Sequence, residues 1–246
     1  DLPGTYALSA YSPEEVYVRR HIIDDPPDII VNTVVASNLE RNLYLTTELI
    51  DISPKMVIAL NMYDELEASG AKFDHEALGE MIGIPMIPVV APSGRGLEEL
   101  LDAIIAVHEN RDKRVRHIHI GYGSIIEENL EPLNADMRQH RDELIAHFPP
   151  RYFALKLIEG DKEVESLLES SPHKERWIKM ATMARTEIET ALGEDIETAL
   201  SNQKYGFISG ALKETYEAAE RKRNTLSDKL DAIVTHRIWG FPIFFA

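Results

Sequence analysis

The chain contains no cysteine, and this absence excludes several kinds of site at once. Disulfide bridges, thiolate metal centres and cysteine nucleophiles all require a sulfhydryl group. A chain without cysteine also suits a reducing cytoplasm. The apolar run at residues 238–246 is much shorter than the roughly 20 residues that a membrane-spanning helix needs.

Basic residues are scarce relative to acidic ones. The 246 residues include 42 acidic and only 26 basic side chains, which gives a formal charge of −16. Phosphate backbones bind surfaces rich in lysine and arginine, so this balance argues against a nucleic-acid partner. Apolar residues make up 44% of the chain and charged residues 28%, as in soluble globular proteins. A chain of this length forms one large domain or two ordinary ones.

The phosphate-binding pattern G-x-x-x-x-G-K-[ST] is also absent, yet a different nucleotide-binding pattern is present. Asp1, Leu2, Pro3 and Gly4 form a D-x-x-G sequence. In a nucleotide site, Asp1 would hold a magnesium-bound water and the Gly4 amide would donate to a γ-phosphate. Taken alone, such a sequence is more typical of an ordinary turn.

An N-x-x-D sequence directly follows the apolar run of residues 56–60. Open α/β sheets bind ligands where their strands end, so Asn61, Met62, Tyr63 and Asp64 occupy a favourable position. The Asp64 carboxylate would accept hydrogen bonds from the guanine ring N–H and exocyclic amine, which adenine cannot offer. Asn61 would hold the turn, and Met62 would pack against the base. The alternative function of Asp64 is to cap the following helix.

A third candidate element follows the next predicted strand, at residues 90–96. The guanine carbonyl needs a backbone N–H here, and Ala91, between Val90 and Pro92, is the natural donor. Pro92 has no N–H to donate. Three elements in this order, each at the end of a strand, predict a guanine-nucleotide site in a GTPase-like domain whose first third is missing.

Strand and helix patterns alternate in the first part of the chain. Strands buried on both faces are predicted at residues 29–35, 56–60 and 86–90. Helices are predicted from a Ser12 cap onward and at residues 39–50, 74–82 and 96–107. The predicted fold class is α/β, a partial P-loop GTPase-like parallel sheet with helices on both faces, followed by an all-α part.

The alternation of strand and helix patterns ends near residues 111–114, and after about residue 120 the pattern is purely helical. We predict that four aromatic and apolar side chains form the core of this part: Trp177, Met180, Tyr205 and Phe207. The predicted helices are residues 127–148, 163–168, 177–192 and 212–233.

Five stretches carry a resemblance to a known family: residues 1–6, 37–45, 59–64, 151–157 and 235–242. They are similar to the cytoplasmic region of FeoB-type bacterial ferrous iron transporters. The resemblance implies three parts. They are a partial GTPase domain at residues 1–112, a helical spacer resembling a GDP-dissociation inhibitor at residues 113–234, and the start of a first transmembrane segment at residues 235–246.

The same resemblance implies a function. It implies binding of GTP and GDP with magnesium, and hydrolysis of GTP to GDP and phosphate by the intact protein. The helical spacer would steady bound GDP. The partner would be the protein's own transmembrane iron-transport domain in the bacterial inner membrane, with this region on the cytoplasmic side. A homo-oligomer and an assisting monovalent cation remain open.

The chain departs from the family pattern at several places. The phosphate loop and the first switch, expected before Asp1, are absent, and Val35 stands where the family usually has aspartate. Val90, Ala91 and Pro92 replace the usual serine-alanine-lysine. Many GTPases place a water-orienting glutamine after the D-x-x-G glycine, whereas this chain has Thr5, a minor catalytic candidate. We therefore expect slow intrinsic hydrolysis.

Two other functions compete with this interpretation. The chain could be a nucleotide-independent interaction module that docks on membrane segments or neighbouring subunits. It could also be a soluble GTPase of ribosome or tRNA metabolism, although the charge of −16 and the apolar tail argue against that.

Metal binding by other residues is a weaker hypothesis. His117 and His119 would share one face of a strand, but no third ligand is evident. Glu127, Glu128 and Glu131 are more typical of a solvated acidic helix face than of a cation site.

Overall fold

The computed structural model describes residues 1–8, 12–140 and 149–218. The first part alternates strands and helices. Its elements are α1 (Pro13–Asp24), β1 (Ile30–Val35), α2 (Leu39–Ile52), β2 (Met56–Asn61), α3 (Tyr63–Ser69), β3 (Lys72–Phe73), α4 (His75–Ile82), β4 (Met86–Pro88) and α5 (Leu97–His108).

The second part is helical except for a final short strand. Its elements are α6 (Ser124–Gln139), α7 (Pro150–Glu159), α8 (Lys162–Leu167), α9 (Lys174–Leu192), α10 (Ile196–Thr215) and β5 (Tyr216–Glu217). The predicted fold class, a parallel sheet flanked by helices and followed by an all-α part, is confirmed.

A parallel three-stranded sheet of order β1-β2-β4 organises the first part. Strand β2 lies at its centre, with residues 56–60 all buried as predicted. Strand β1 alternates between exposed and buried positions, and Val31 is 41% exposed. The prediction that β1 is buried on both faces was therefore wrong, because the side that carries Val31 and Thr33 is exposed in the part of the chain that the structure describes.

The two faces of β2 pack against different helices, since successive side chains of a strand point to opposite faces. Val57 and Ala59 pack with Ala103 and Val107 of α5. Met56, Ile58 and Leu60 belong to a larger core that includes residues of α2 and α4 and continues into the helical part. The two parts of the chain therefore share one hydrophobic core.

Capping residues define several helix starts. The hydroxyl of Ser12 accepts from the amide of Glu15, with Pro13 in the first turn, as the sequence predicts. Asp161 and Asp195 cap α8 and α10 in the same way. A side-chain oxygen at each position satisfies amides that the helix leaves unpaired.

The helical part differs from the sequence prediction in several details. Helix α7 was not predicted, and only the last four residues of α10, 212–215, fall within the predicted helix at 212–233. That prediction is wrong at residues 216–217, which form β5, and residues 219–233 lie outside those described. Tyr205 is 43% exposed and does not belong to the core, whereas Trp177 is fully buried and Met180 and Phe207 pack against the core. The predicted helix at 127–148 begins earlier, at Ser124, and residues 141–148 lie outside those described.

The end of α10 is joined to the first part. Helix α10 contacts α2 and α4, and β5 pairs antiparallel with β3. None of the helices in the described ranges is long and apolar enough to cross a membrane. The transmembrane start expected at residues 235–246 lies outside those ranges.

Replacing Trp177 by phenylalanine tests the core of the helical part. The indole Nε1 donates to the buried carboxylate of Asp136 at 2.8 Å, and phenylalanine keeps an aromatic ring but removes the donor and part of the packed volume. We expect a loss of about 1–3 kcal/mol of unfolding free energy, measured by urea denaturation. Met183→Ala on the same helix, where the side chain is 56% exposed, should change stability by less than about 0.5 kcal/mol. Equal effects of the two substitutions would contradict this account of the core.

Candidate functional site

The N-x-x-D sequence forms a sharp turn between β2 and α3. Met62 adopts a left-handed conformation with φ of 56°, and α3 begins at the next residue. The amide of Tyr63 donates to the carbonyl of Val89, which ties this turn to the end of the neighbouring strand. Asn61 and Tyr63 are half-buried, whereas Met62 and Asp64 are exposed.

Asp64 does not cap the helix. Met62 occupies the N-cap position, and Asp64 lies in the first turn of α3 with its carboxylate exposed. The alternative explanation of Asp64 as a capping residue is therefore wrong. An exposed carboxylate at the end of a parallel strand is accessible to donors from a ligand.

The turn after β4 lies directly beside Asn61. The amide of Ala91 donates to Oδ1 of Asn61 at 3.3 Å, so the two elements that were predicted to surround guanine are in contact. Val90 is buried, and Ala91 and Pro92 are exposed. Because the Ala91 amide already has a partner, a base carbonyl must share or replace that hydrogen bond.

A glycine is required where this turn meets α5. Gly96 has φ of +81°, and a Cβ built on it would lie 2.0 Å from the carbonyl oxygen of Pro88. Its neighbour Arg95 accepts from the Val90 amide through its carbonyl at 2.9 Å. The backbone of Gly96 therefore packs directly against that of Pro88, and residues 91–93 are exposed at the carboxyl ends of the strands.

An ion pair joins the turn after β4 to helix α3. Arg95 donates from Nη1 to Oε2 of Glu67 at 2.8 Å, and its Nη2 reaches the other carboxylate oxygen at 2.5 Å. The hydrogen bond from Arg95 lowers the pKa of Glu67. Both side chains are about half exposed, so the pair orients the turn more than it stabilises the fold.

The D-x-x-G turn lies elsewhere, beside β1. Asp1, Leu2, Pro3 and Gly4 are exposed, and Thr5 is half-buried. Residues 1–5 line a cleft of about 540 Å³ together with residues of α1, β1 and α2. None of Asn61, Asp64 and Ala91 lines this cleft. A Cβ on Gly4 would meet nothing within 4 Å, so a need for glycine would arise only from a bound group.

The two histidines considered as metal ligands contact each other in a loop. The rings of His117 and His119 are 4.5 Å apart in an edge-to-face arrangement, but residues 115–123 form no strand, so the predicted strand was wrong. Burial, with the nearby His117 adding to it, lowers the pKa of His119. Within the described ranges, no group of three or more histidine, aspartate or glutamate residues is placed to hold a metal ion.

Two sequence models of one family match this chain. The model described as "Ferrous iron transport protein B" matches residues 1–104, and the "FeoB cytosolic helical domain" matches residues 122–217. The chain belongs to the FeoB family. A FeoA/FeoB fusion protein of Porphyromonas gingivalis is 47% identical over 99% of this chain and 29% of its own length. The Fe(2+) transporter FeoB of Staphylococcus aureus strain COL is 29% identical over the whole chain and 36% of its own length.

Solved FeoB structures have the same fold. A GDP-bound mutant of the S. thermophilus FeoB G-domain superposes with a TM-score of 0.76 at 29% identity, covering 88% of this chain and 80% of that one. The cytosolic domain of T. maritima FeoB in its GMPPNP form gives 0.72 at 26% identity, covering 88% and 79%. This FeoB chain therefore spans most of those cytosolic structures but only about a third of the transporters it matches.

Some residues around the site were missed by sequence reasoning. The Arg95–Glu67 pair depends on two turns meeting in space, and no local pattern indicates it. Glu48 is only 4% exposed, although the other buried residues of α2 are all leucine, isoleucine or threonine. A carboxylate in such a run is a signal, since an acid is rarely buried without a partner.

The substitution Asp64→Asn tests whether Asp64 contacts the base. An amide can donate where the carboxylate accepts, so binding of GTP should weaken and binding of XTP should strengthen, each by about tenfold. Competition of GTP and XTP against a fluorescent nucleotide on the full-length FeoB protein measures both. Glu65→Gln, at the neighbouring exposed acid, is the matched control and should leave the preference for GTP intact. An unchanged preference in Asp64→Asn would remove Asp64 from the base site.

Proposed function

We propose that this chain is the cytosolic GTP-binding and GTP-hydrolysing region of a ferrous iron membrane transporter. The observation that carries the proposal is the contact between Asn61 and Ala91 at the ends of two adjacent parallel strands, with the Asp64 carboxylate exposed beside it. The names of its relatives support it, since they are Fe(2+) transporters and cytosolic domains in GDP and GMPPNP forms.

Guanine selectivity follows from the donors and acceptors at this edge. The Asp64 carboxylate accepts from the ring N–H and the exocyclic amine of guanine, and adenine leaves it unpaired. The Ala91 amide serves the guanine carbonyl, with Asn61 as its partner in the absence of base. Met62, which is 38% exposed, provides an apolar surface for the base plane.

Binding of the nucleotide phosphates requires groups beyond those that the described residues supply. Within the described ranges, strand β1 has a strand partner on one edge only, and the cleft that its residues line also borders the D-x-x-G turn. We infer that a part of the full-length protein outside residues 1–246 pairs with the other edge of β1 and supplies the phosphate-binding loop. Backbone amides at a helix N-terminus would then bind the phosphates.

Magnesium fits the D-x-x-G turn through a single carboxylate. Asp1 is exposed and would hold a magnesium-bound water. When bound there, magnesium would supply positive charge to offset that of the phosphates. An assisting monovalent cation is part of the same proposal.

The names of the relatives support a partner and a location for this chain. The partner is the transmembrane iron-transport domain of the same protein, and this region faces the cytoplasm at the bacterial inner membrane. Iron is the transported substrate. Membership of the FeoB family argues against a soluble GTPase of ribosome or tRNA metabolism. The Asn61–Ala91 arrangement favours nucleotide binding over a nucleotide-independent interaction module.

Calorimetric titration with GDP tests the proposed function. The full-length protein should bind GDP with magnesium, whereas residues 1–246 alone should bind weakly or undetectably, because phosphate contacts carry much of the affinity. Equally tight binding by residues 1–246 would mean that the phosphate site is misplaced. Absence of binding by the full-length protein would refute the proposed function.

The substitution Thr5→Ala tests water positioning. The threonine hydroxyl is shorter than a glutamine amide and reaches less far toward a water in line with the γ-phosphate. In the full-length protein we expect kcat to fall by less than about tenfold, or under roughly 1.4 kcal/mol of transition-state stabilisation. Single-turnover hydrolysis at saturating enzyme separates chemistry from nucleotide release. A loss of several hundredfold with unchanged affinity would make Thr5 a principal catalytic group.

A further inference from the structure

Leu8 lies four residues after Gly4, and buried charged side chains hold both of its backbone polar groups. Its side chain is 1% exposed. Its amide donates to the carboxylate of Glu48 on α2. Its carbonyl accepts from Nη1 of Arg19 on α1 at 3.3 Å. We call Leu8, Glu48 and Arg19 the Leu8 clamp.

The acid of the Leu8 clamp is also bound by the helical part. Nζ of Lys204 on α10 lies 3.1 Å from Glu48 Oε1, and the two side chains are 3% and 4% exposed. Burial alone would raise the pKa of Glu48, but the ammonium groups of Lys204 and Lys156 and the Leu8 amide outweigh it, and the pKa is lowered. Glu48 is therefore an ionised carboxylate shared between Leu8 and α10.

Arg19 of the Leu8 clamp likewise contacts both Leu8 and the helical part. Arg19 is fully buried, and its Nη2 donates to Asp161 at 3.1 Å and to Glu163 at 2.5 Å. Asp161 is itself fixed, because its Oδ1 caps α8 by accepting from the amide of Val164 at 3.1 Å. Arg19 therefore joins the Leu8 carbonyl to the start of α8.

The contacts of Glu48 and Arg19 with the helical part are therefore both linked to Leu8, four residues after the D-x-x-G turn. Four residues of chain span at most about 14 Å and seven at most about 25 Å, so a fixed Leu8 restricts where Gly4 can lie and, less tightly, where Asp1 can lie. Ordering a free segment costs about 1–2 kcal/mol per residue. A turn whose downstream end is already fixed loses less conformational entropy when it engages a ligand.

We propose that Glu48 and Arg19 are positioning residues through which the helical part holds the D-x-x-G turn ready for the γ-phosphate. The inference rests on the proposed function of this turn. Only GTP presents a γ-phosphate to the Gly4 amide, so loss of the Leu8 clamp weakens GTP binding and leaves GDP binding unchanged. By reciprocity, a bound γ-phosphate strengthens the attachment of α8 and α10.

A purely structural role predicts a different result. If the buried ion pairs only joined the two parts of the chain, their loss would lower stability and affect both nucleotides alike. The ratio of the two affinities therefore distinguishes positioning from general stabilisation.

The test uses the full-length protein with Glu48→Met and Lys204→Met combined. Replacing both members of a buried ion pair with apolar residues of similar volume leaves no unpaired charge, so the protein should fold. Leu8 loses its acceptor. We expect affinity for magnesium-GMPPNP to fall about tenfold and affinity for GDP without magnesium to change less than twofold, both by calorimetry.

A conservative pair and a matched control complete the experiment. Glu48→Gln with Lys204→Gln keeps an oxygen for the Leu8 amide and should bind GMPPNP within about threefold of the parent. Glu127→Met with Arg151→Met removes a pair between α6 and α7, away from Leu8, and should change neither affinity. Unchanged GMPPNP affinity in the Met pair, or an equal loss for both nucleotides, would overturn the inference. If the parent protein bound no nucleotide, the proposed function itself would fail.

Discussion

The parallel pairing of β2 with β4 is the constraint on which the candidate site depends. The amide of Val89 donates to the carbonyl of Leu60 at 2.8 Å, and Ile58 lies opposite Met86 in the register. Parallel strands end at the same edge, so this register places Asn61 beside Ala91. A slip of one residue would turn each side chain of β4 to the opposite face of the sheet and separate the two turns.

The helical part extends this arrangement because it shares a core with one face of the sheet. Helices α2 and α4 cover that face of the sheet, and α10 packs against both. Burial of Glu48 and Lys204 at this boundary is costly unless the two remain paired, so the charges favour a single relative position of α2 and α10. The turn that would sense the γ-phosphate and the helices that follow the GTPase-like part thus meet in one network.

Local patterns predicted the elements whose signals are contained in a few residues. The apolar run of β2, the Ser12 cap and the extent of α2 are of this kind, and the comparison with known proteins confirmed the family. The position of N-x-x-D at a strand end was also predictable, since the run of residues 56–60 is continuous and apolar.

The remaining features depend on contacts between distant parts of the chain. Strand β5 exists because it pairs with β3, more than 140 residues earlier, and two residues carry no strand pattern of their own. Helix α10 mixes small and polar residues on its surface, so its periodicity is weak although Lys204 and Ile208 are buried. Arg19 resembles an ordinary helix-surface arginine in the sequence, and only the fold shows that it is fully buried between α1 and α8.

Hydrogen–deuterium exchange on the full-length protein, with and without GDP, tests the central claim most directly. If guanine is bound at the joined ends of β2 and β4, GDP should slow amide exchange in residues 61–64 and 90–93 together, because the base closes over both turns. Protection should be smaller on the outer face of α9, where Met183 is exposed. Saturating GDP that protects other segments and leaves both turns unchanged would contradict the account.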